Sequence, residues 1–187
     1  MNKLLKTLFI QIDKTVVKLN RWEYIPNSNK KMMYINPHTY KGEDLKLTDG
    51  TIIRKGDRVA ELHIDNLKVD NIKNDLSTLY SLLEEELYAL SQTVSNIDKY
   101  KSIKAYYGVT LLYPIASRKG FTIIDIRDKT KKAFIKIWEN VLKLSYGKSR
   151  IKKSKSFRIP KECWISKSQV LDRLNHKKGD YYEKEAN

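Results

Sequence analysis

Apolar side chains recur at steps of three and four residues between residues 72 and 101, which is the spacing of one face of an α-helix. The acidic side chains Asp75, Glu84, Glu85 and Glu86 are assigned mostly to positions off this face. The pattern predicts a long helix that packs one side on a core. A coiled-coil seam is the alternative. It is less favoured than core packing, because the segment spans only about four heptads and has no flanking charge pairs. The stripe consists of Leu76, Leu79, Leu83, Leu87, Leu90, Val94 and Ile97.

Two other segments show helical periodicity. Residues 3–20 predict an N-terminal amphipathic helix with lysines on its polar side. Core packing is the simpler interpretation of this helix, and a membrane surface is the alternative. Residues 130–146 predict a third helix that ends before Gly147, a fitting C-terminal stop. A capping box formed by Ser166 and Gln169 predicts a short final helix through residue 174.

Short apolar runs bounded by turn residues predict β-strands. Asp49-Gly50 is a strong hairpin signal between the runs 45–47 and 51–53. A second turn at residues 54–57 leads to a strand at 59–64. A strand at 32–35 is predicted to stop at Asn36-Pro37 because proline lacks the ladder donor. That break leaves His38 in a polar loop without an assigned role. Further strands are predicted at 105–113, 121–126 and 164–165.

Strands and helices alternate here without a strict βαβ period, which predicts an α+β fold. We expect a small, largely antiparallel sheet, one domain over residues 1–174 and a polar tail over 175–187. A chain of 187 residues can bury a core without covalent staples. Its one cysteine, Cys163, cannot form an internal disulfide, which suits a reducing compartment, and it is predicted to be a small buried apolar residue.

The formal net charge of +15 indicates an anionic partner such as a membrane surface or nucleic acid. However, 29 lysines against 8 arginines is typical of compositional bias, and base recognition favours arginine, so nucleic acid is the less favoured partner. The basic stretch 148–158 is interpreted as a solvated loop, and binding of a phosphate-rich partner is the alternative. No apolar run approaches the length of a membrane span, and no cleavage site follows the N-terminal stretch. We therefore expect a cytoplasmic protein, with a peripheral position at the inner membrane face as the alternative.

The best candidate site follows the central strand. Glu61, His63 and Asp65 share one face by the period of two, and Asn66 follows. A carboxylate beside an imidazole suits general-base chemistry, so Glu61, His63 and Asn66 are candidate catalytic residues. Candidate ligand-binding residues are Asp65, Arg58 and Tyr107. A solvated strand face is the alternative. No spacing typical of a metal site, phosphate loop or nucleophile elbow occurs, so no metal or cofactor is expected.

The segment 49–66 reads DGT-x-x-x-x-GD-x-V-x-ELH-x-x-N. Together with Tyr40-Lys41-Gly42 and the segments 106–112, 119–121 and 160–166, it resembles the YkoP-like family, a bacterial group without an assigned biochemical function. In that family the domain occurs alone or fused behind a polysaccharide deacetylase domain. The resemblance implies a connection with cell-envelope carbohydrate. The metal and base motifs of the deacetylase are absent from this sequence, so its activity is not carried over.

Three hypotheses follow. The first is an accessory or binding domain for an envelope glycan or a lipid-linked precursor. The second is an enzyme using Glu61, His63 and Asn66, and it requires His63 at the wall of a concave, partly apolar pocket. The third is a basic protein that binds nucleic acid or an anionic membrane.

Overall fold

The structure is a computed structural model that describes residues 15, 17–19, 22–65, 68, 76–110, 112–126 and 160–175. Residues 15 and 17–19 are helical, and the rest of the predicted N-terminal helix lies outside the described residues. The predicted helix at 130–146, the basic stretch 148–158 and the tail beyond residue 175 also lie outside them.

A six-stranded mixed sheet forms the centre of the described chain. Its strands lie in the order β1-β2-β5-β6-β8-β7, and strands β3 and β4 form a separate hairpin. Four of the five neighbouring pairs in the large sheet are antiparallel, and β5 and β6 are parallel. The strands are β1 (Glu23–Tyr24), β2 (Met33–Thr39), β3 (Leu45–Lys46), β4 (Ile52–Ile53), β5 (Arg58–Ile64), β6 (Ala105–Thr110), β7 (Thr122–Ile124) and β8 (Lys161–Ser166).

Helices connect and cover these strands. The long helix α1 (Leu76–Asn96) and the short helix α2 (Asp98–Lys101) lie in the connection between β5 and β6. A parallel pair needs such a crossover because its second strand must start at the same end of the sheet as its first. Ile97 has extended backbone angles and separates the two helices. Helix α3 (Tyr113–Arg118) precedes β7, and residues 167–175 form helix α4. The α+β prediction is confirmed.

Strand β2 corrects one prediction, since it continues through Asn36-Pro37 to Thr39. Its even-numbered positions exchange hydrogen bonds with β5, as Tyr40 N donating to Asp57 O shows just beyond the strand. Pro37 therefore turns its nitrogen away from β5, towards a side where β1 pairs only with residues 34 and 35. A proline at such an open edge leaves no ladder hydrogen bond unmade.

Both faces of the large sheet carry apolar cover. On one face, α1 packs through Leu87, Leu90 and Val94 against a core that includes Ala60 and Leu62. On the other face, the β3–β4 hairpin covers the end of the sheet near Val59, so that only part of this face is apolar. This second cluster consists of Leu45, Leu47, Ile53, Val59, Ala105, Tyr107 and Trp164.

Glycines close both predicted turns. Leu47 N donates to Thr51 O across the hairpin, and Gly50 occupies the loop with φ of 88°. In the following turn, Asp57 N donates to Arg54 O, and Gly56 has φ of 98°. A side chain with a Cβ adopts such angles only at a cost, so both glycines set the path into β5.

We expect Gly56→Val to lower the free energy of unfolding by roughly 1–3 kcal/mol. No atom lies within 4 Å of a Cβ built at this position, so the cost comes from the backbone angle alone. Gly56→Asn is the matched control, because asparagine tolerates positive φ better than valine does. Denaturant midpoints measure both. Equal losses in the two variants would contradict the backbone explanation.

Candidate functional site

One face of the large sheet brings together four of the side chains predicted from sequence. Glu61 and His63 alternate with Ala60 and Leu62, which point to the helix core, so they lie on the opposite face. Tyr107 is the partner of Glu61 on β6, and it lies on the same face. Asp65 follows the strand in register, since its N–H donates to Met32 O at 2.8 Å.

His63 is half-buried in an aromatic cluster. Its ring centroid lies 4.5 Å from that of Trp22 and 6.4 Å from that of Tyr34, its cross-strand partner. Ring contacts of this kind stabilise a fold beyond the area that they bury. His63 is therefore a packed residue rather than one exposed to open solvent.

Asp65 is engaged by tyrosines. Only 4% of it is exposed, and its Oδ2 accepts a 2.8 Å hydrogen bond from the Tyr24 hydroxyl. The Tyr34 hydroxyl donates to Tyr24 at 2.7 Å, and the two rings stack with centroids 4.2 Å apart. Burial, together with the Tyr34 and Asp65 hydrogen bonds, raises the pKa of Tyr24 well above its usual value. This arrangement anchors β1 to the end of β5.

Tyr107 lies at the boundary between the hairpin cluster and the polar part of the face. Its ring stacks on Trp164 with centroids 4.3 Å apart, and its hydroxyl lies 3.3 Å from His38 Nε2. Burial is the main cause that raises the pKa of Tyr107, and the charge of Glu61 adds to it. The phenol therefore stays neutral, with its hydroxyl against the His38 imidazole.

Of the other two predicted residues, Arg58 does not join this group. Arg58 is exposed at the start of β5, and alternation along the strand places it on the helix side of the sheet. Asn66 lies outside the described residues. His38, which sequence reasoning left in a loop, does join the group, because β2 continues past Pro37. We call Tyr34, His38, Glu61, His63 and Tyr107 the polar sheet face.

The helix side of the sheet contains an apolar cavity of about 90 Å³. It lies between β5, β6, α1 and α3, and neither Glu61 nor His63 lines it. Its lining residues include Leu62, Ile64, Leu82, Leu83, Glu86, Gly108, Ala116, Phe121 and Cys163.

Among the described residues that line this cavity, Glu86 is the one carboxylate, and 1% of it is exposed. Its Oε1 accepts hydrogen bonds from the Ser28 hydroxyl at 2.5 Å and from Met32 N at 3.2 Å. Its Oε2 is buried and has no hydrogen-bond partner among the described residues. Burial raises the pKa of this carboxyl above its usual range, which favours the neutral acid.

The assignment of Glu86 to the polar side of the helix was wrong, although the signal was present. Glu86 follows Leu83 by three residues and precedes Leu90 by four, so helical spacing places it on the apolar stripe. The error arose because Glu86 was assigned by the charge of its side chain and not by its position on the helix.

Cys163 has the environment that the sequence predicted. It is 2% exposed within the core and lines the same cavity. Burial raises the pKa of its thiol to about 12. A thiol that stays protonated at neutral pH is a poor nucleophile, so Cys163 serves packing.

Within the described ranges, no group of His, Cys, Asp and Glu side chains is arranged to hold a metal ion. No helix in this part of the chain is long and apolar enough to cross a bilayer.

The fold and its two faces define an α+β domain with a mixed sheet, polar on one side and with an apolar cavity on the other. The family model of the YkoP domain matches residues 2–174, and the chain belongs to this family. The uncharacterized protein YkoP of Bacillus subtilis (strain 168) is 26% identical over 144 residues, which cover 71% of this chain and 79% of the relative. No solved structure matches the chain. The resemblance seen in the sequence is thereby confirmed.

Proposed function

We propose that this chain is a binding domain with an accessory role in cell-envelope polysaccharide metabolism, and that its polar sheet face contacts a glycan. The arrangement of Glu61, His38 and Tyr107 supports this proposal best. It offers a carboxylate, an imidazole and a phenol on neighbouring strands of one rigid sheet. Sugar hydroxyls both donate and accept hydrogen bonds, and these groups complement them.

Aromatic rings at the rim add a second kind of contact. Trp22 and Tyr34 are half-buried and lie beside His63, which extends the face beyond its hydrogen-bonding groups. Aromatic rings with polar handles suit ligands that are apolar on one side and hydroxylated on the other. The family resemblance implies fusions to a polysaccharide deacetylase domain, and such a context fits the same class of ligand.

The enzyme hypothesis has weaker support. It requires His63 at the wall of a concave, partly apolar pocket. His63 instead packs on Trp22, and the apolar cavity lies on the opposite face of its strand. Binding of a ligand, unlike catalysis, does not require such a pocket. It requires only that the exposed edges of the polar groups are held in place, and a rigid sheet does this.

Titration with an N-acetylglucosamine tetrasaccharide tests the proposal. We expect the backbone amide NMR signals of Glu61, His63 and Tyr107 to shift and saturate. Glu61→Gln and His38→Ala should each weaken binding about tenfold, the effect of losing a good hydrogen bond. Arg58→Ala is the matched control, because Arg58 is exposed on the same strand but on the other side of the sheet.

Absence of saturable shifts at millimolar tetrasaccharide would refute glycan binding. Equal weakening by Arg58→Ala and Glu61→Gln would refute the location on the polar sheet face and indicate a nonspecific charge effect.

A further inference from the structure

The hydrogen bonds of the polar sheet face have a fixed direction at His38. Its Nδ1 lies 3.1 Å from the main-chain oxygen of Asn36. A carbonyl oxygen only accepts, so Nδ1 carries the proton of the neutral imidazole and Nε2 keeps a lone pair. The Tyr107 hydroxyl, 3.3 Å from Nε2, therefore donates to it. The one O–H donor of Tyr107 is thus engaged within the protein.

Tyr34 shows the same direction at the other end of the face. Its hydroxyl donates to the Tyr24 hydroxyl at 2.7 Å, and Tyr24 in turn donates to Asp65 at 2.8 Å. A phenol has a single O–H, so neither Tyr34 nor Tyr107 keeps a donor for a ligand. Towards a ligand, both phenol oxygens can only accept.

Glu61 adds a charged acceptor beside Tyr107. Its side chain is half-buried, and no hydrogen bond or ion pair joins it to another residue in the part of the chain that the structure describes. Glu162 on β8 lies on the same face, since β8 pairs with β6 in register. Burial and the charges of both glutamates raise the pKa of Tyr107. Asn36, opposite Glu61, is the exception, because its amide both donates and accepts.

The sign of this face is opposite to that of the whole chain. Lysine and arginine make up 37 of the 187 residues, and the net charge is +15. Alternation along β2, β5, β6 and β8 nevertheless places neither of them on this face. The strands therefore present acceptors and negative charge together, and this combination complements a ligand group that donates hydrogen bonds and is positively charged.

We propose that the polar sheet face selects an amino sugar with a free amine, whose ammonium donates to the Glu61 carboxylate. This selection rests on the glycan-binding role proposed above and names the class of glycan. An ammonium has three N–H donors and no acceptor, so it matches these groups. An acetamide at the same position is uncharged, and its carbonyl oxygen needs a donor that neither tyrosine can supply.

Three tetrasaccharides test the selection on the full chain, because they share one linkage and differ only in the group on the second carbon of each sugar. The tetrasaccharides of glucosamine, glucose and N-acetylglucosamine carry an ammonium, a hydroxyl and an acetamide there. Amide NMR shifts at Glu61 and Tyr107 report binding. We expect the glucosamine probe to bind about tenfold more tightly than the N-acetylglucosamine probe, the effect of one hydrogen bond to a charged group. The glucose probe should lie between them.

The net charge of the chain cannot produce this order of affinities. A chain of +15 repels a cationic oligosaccharide, so only local groups can favour the amine. Equal affinity for the three probes, or preference for the acetamide, would overturn the selection and leave the glycan proposal standing. Absence of saturable shifts with all three would refute glycan binding itself, and the selection with it.

Variants assign the selection to a residue. Glu61→Gln keeps the size of the side chain, removes its charge and supplies an amide donor, so the ratio of the glucosamine and N-acetylglucosamine affinities should fall to about one. Arg58→Ala is the matched control, because Arg58 lies on the same strand but on the other side of the sheet, and this variant should keep the ratio of the parent. Preference retained in Glu61→Gln, or lost in Arg58→Ala, would overturn the assignment to Glu61. A ratio of affinities cancels any general loss of binding in a variant.

Discussion

Replacement of Gly108 by alanine is expected to lower the free energy of unfolding by about 2–4 kcal/mol. Gly108 lies on β6, beside β5 in the centre of the sheet. A Cβ at this position would lie 2.7 Å from the main-chain oxygen of Leu62. Real Cβ atoms do not approach so closely, and the obstacle is backbone in a central strand that pairs on both sides. Relief therefore requires the two strands to separate.

Gly42→Ala is the control for this prediction. A Cβ at Gly42 would meet the Tyr40 hydroxyl oxygen at 2.5 Å, so the nominal clash is at least as severe. The obstacle there is a side chain, whose hydroxyl donates to Glu43 O at 2.8 Å and whose ring packs on Trp164. Its displacement costs those contacts but leaves the sheet intact, so we expect a smaller loss of about 1 kcal/mol. Denaturant midpoints decide between the two cases. Similar losses in both variants would show that strand separation is not the source of the cost.

The turns were predictable from the sequence, because a turn depends on a few neighbouring residues. Asp49-Gly50 indicated the hairpin, and the structure pairs Leu45 with Ile53 across it. Positive φ at Gly50 and Gly56 explains why these residues, rather than others, occupy the turns. A turn can therefore be recognised from its own residues, without knowledge of the rest of the chain.

Pairing between distant segments could not be predicted in the same way. The parallel neighbours β5 and β6 are separated along the chain by α1 and α2. No pattern within either strand indicates which strand it pairs with. The rule that proline ends a strand failed at Pro37 for a related reason. Its cost depends on whether a neighbour needs the missing donor, and that neighbour, β1, is set by tertiary structure.

The candidate site was predictable only in part. Alternation correctly placed Glu61 and His63 on one face. The sequence did not reveal that Trp22, distant along the chain, would pack on His63. The buried role of Glu86 was missed because a charged residue was assumed to face solvent, whereas its spacing from Leu83 and Leu90 indicated the core.

The second large effect is expected at Glu86. Glu86→Met leaves the Ser28 hydroxyl and Met32 N–H without their acceptor, and both groups lie in a buried region. Loss of acceptors for buried donors should lower the free energy of unfolding by about 2–4 kcal/mol near neutral pH. Glu86→Gln keeps an oxygen at the same place, so we expect it to retain most of this stability. Thermal or denaturant unfolding of the three proteins measures both effects.

The pH dependence of the difference between the parent and Glu86→Gln shows whether burial dominates at this carboxyl. Burial raises the pKa of Glu86 above 4.5, and the hydrogen bonds from Ser28, Met32 and Met33, with the charge of Lys68, only partly oppose the rise. Between 4.5 and the raised pKa, the unfolded chain has lost the proton while the folded protein still holds it. The contribution of Glu86 is therefore fully present below 4.5 and is lost as pH rises through the folded pKa. Relative to Glu86→Gln, the parent should lose stability between pH 4.5 and the raised pKa, and the difference should level off above it. Carboxylates with lowered pKa, such as Asp57 and Glu84, give the opposite slope, but they are common to both proteins and cancel in the difference. A difference that stays constant with pH, or one that favours the parent as pH rises, would show that burial does not raise the pKa of Glu86 in the folded protein.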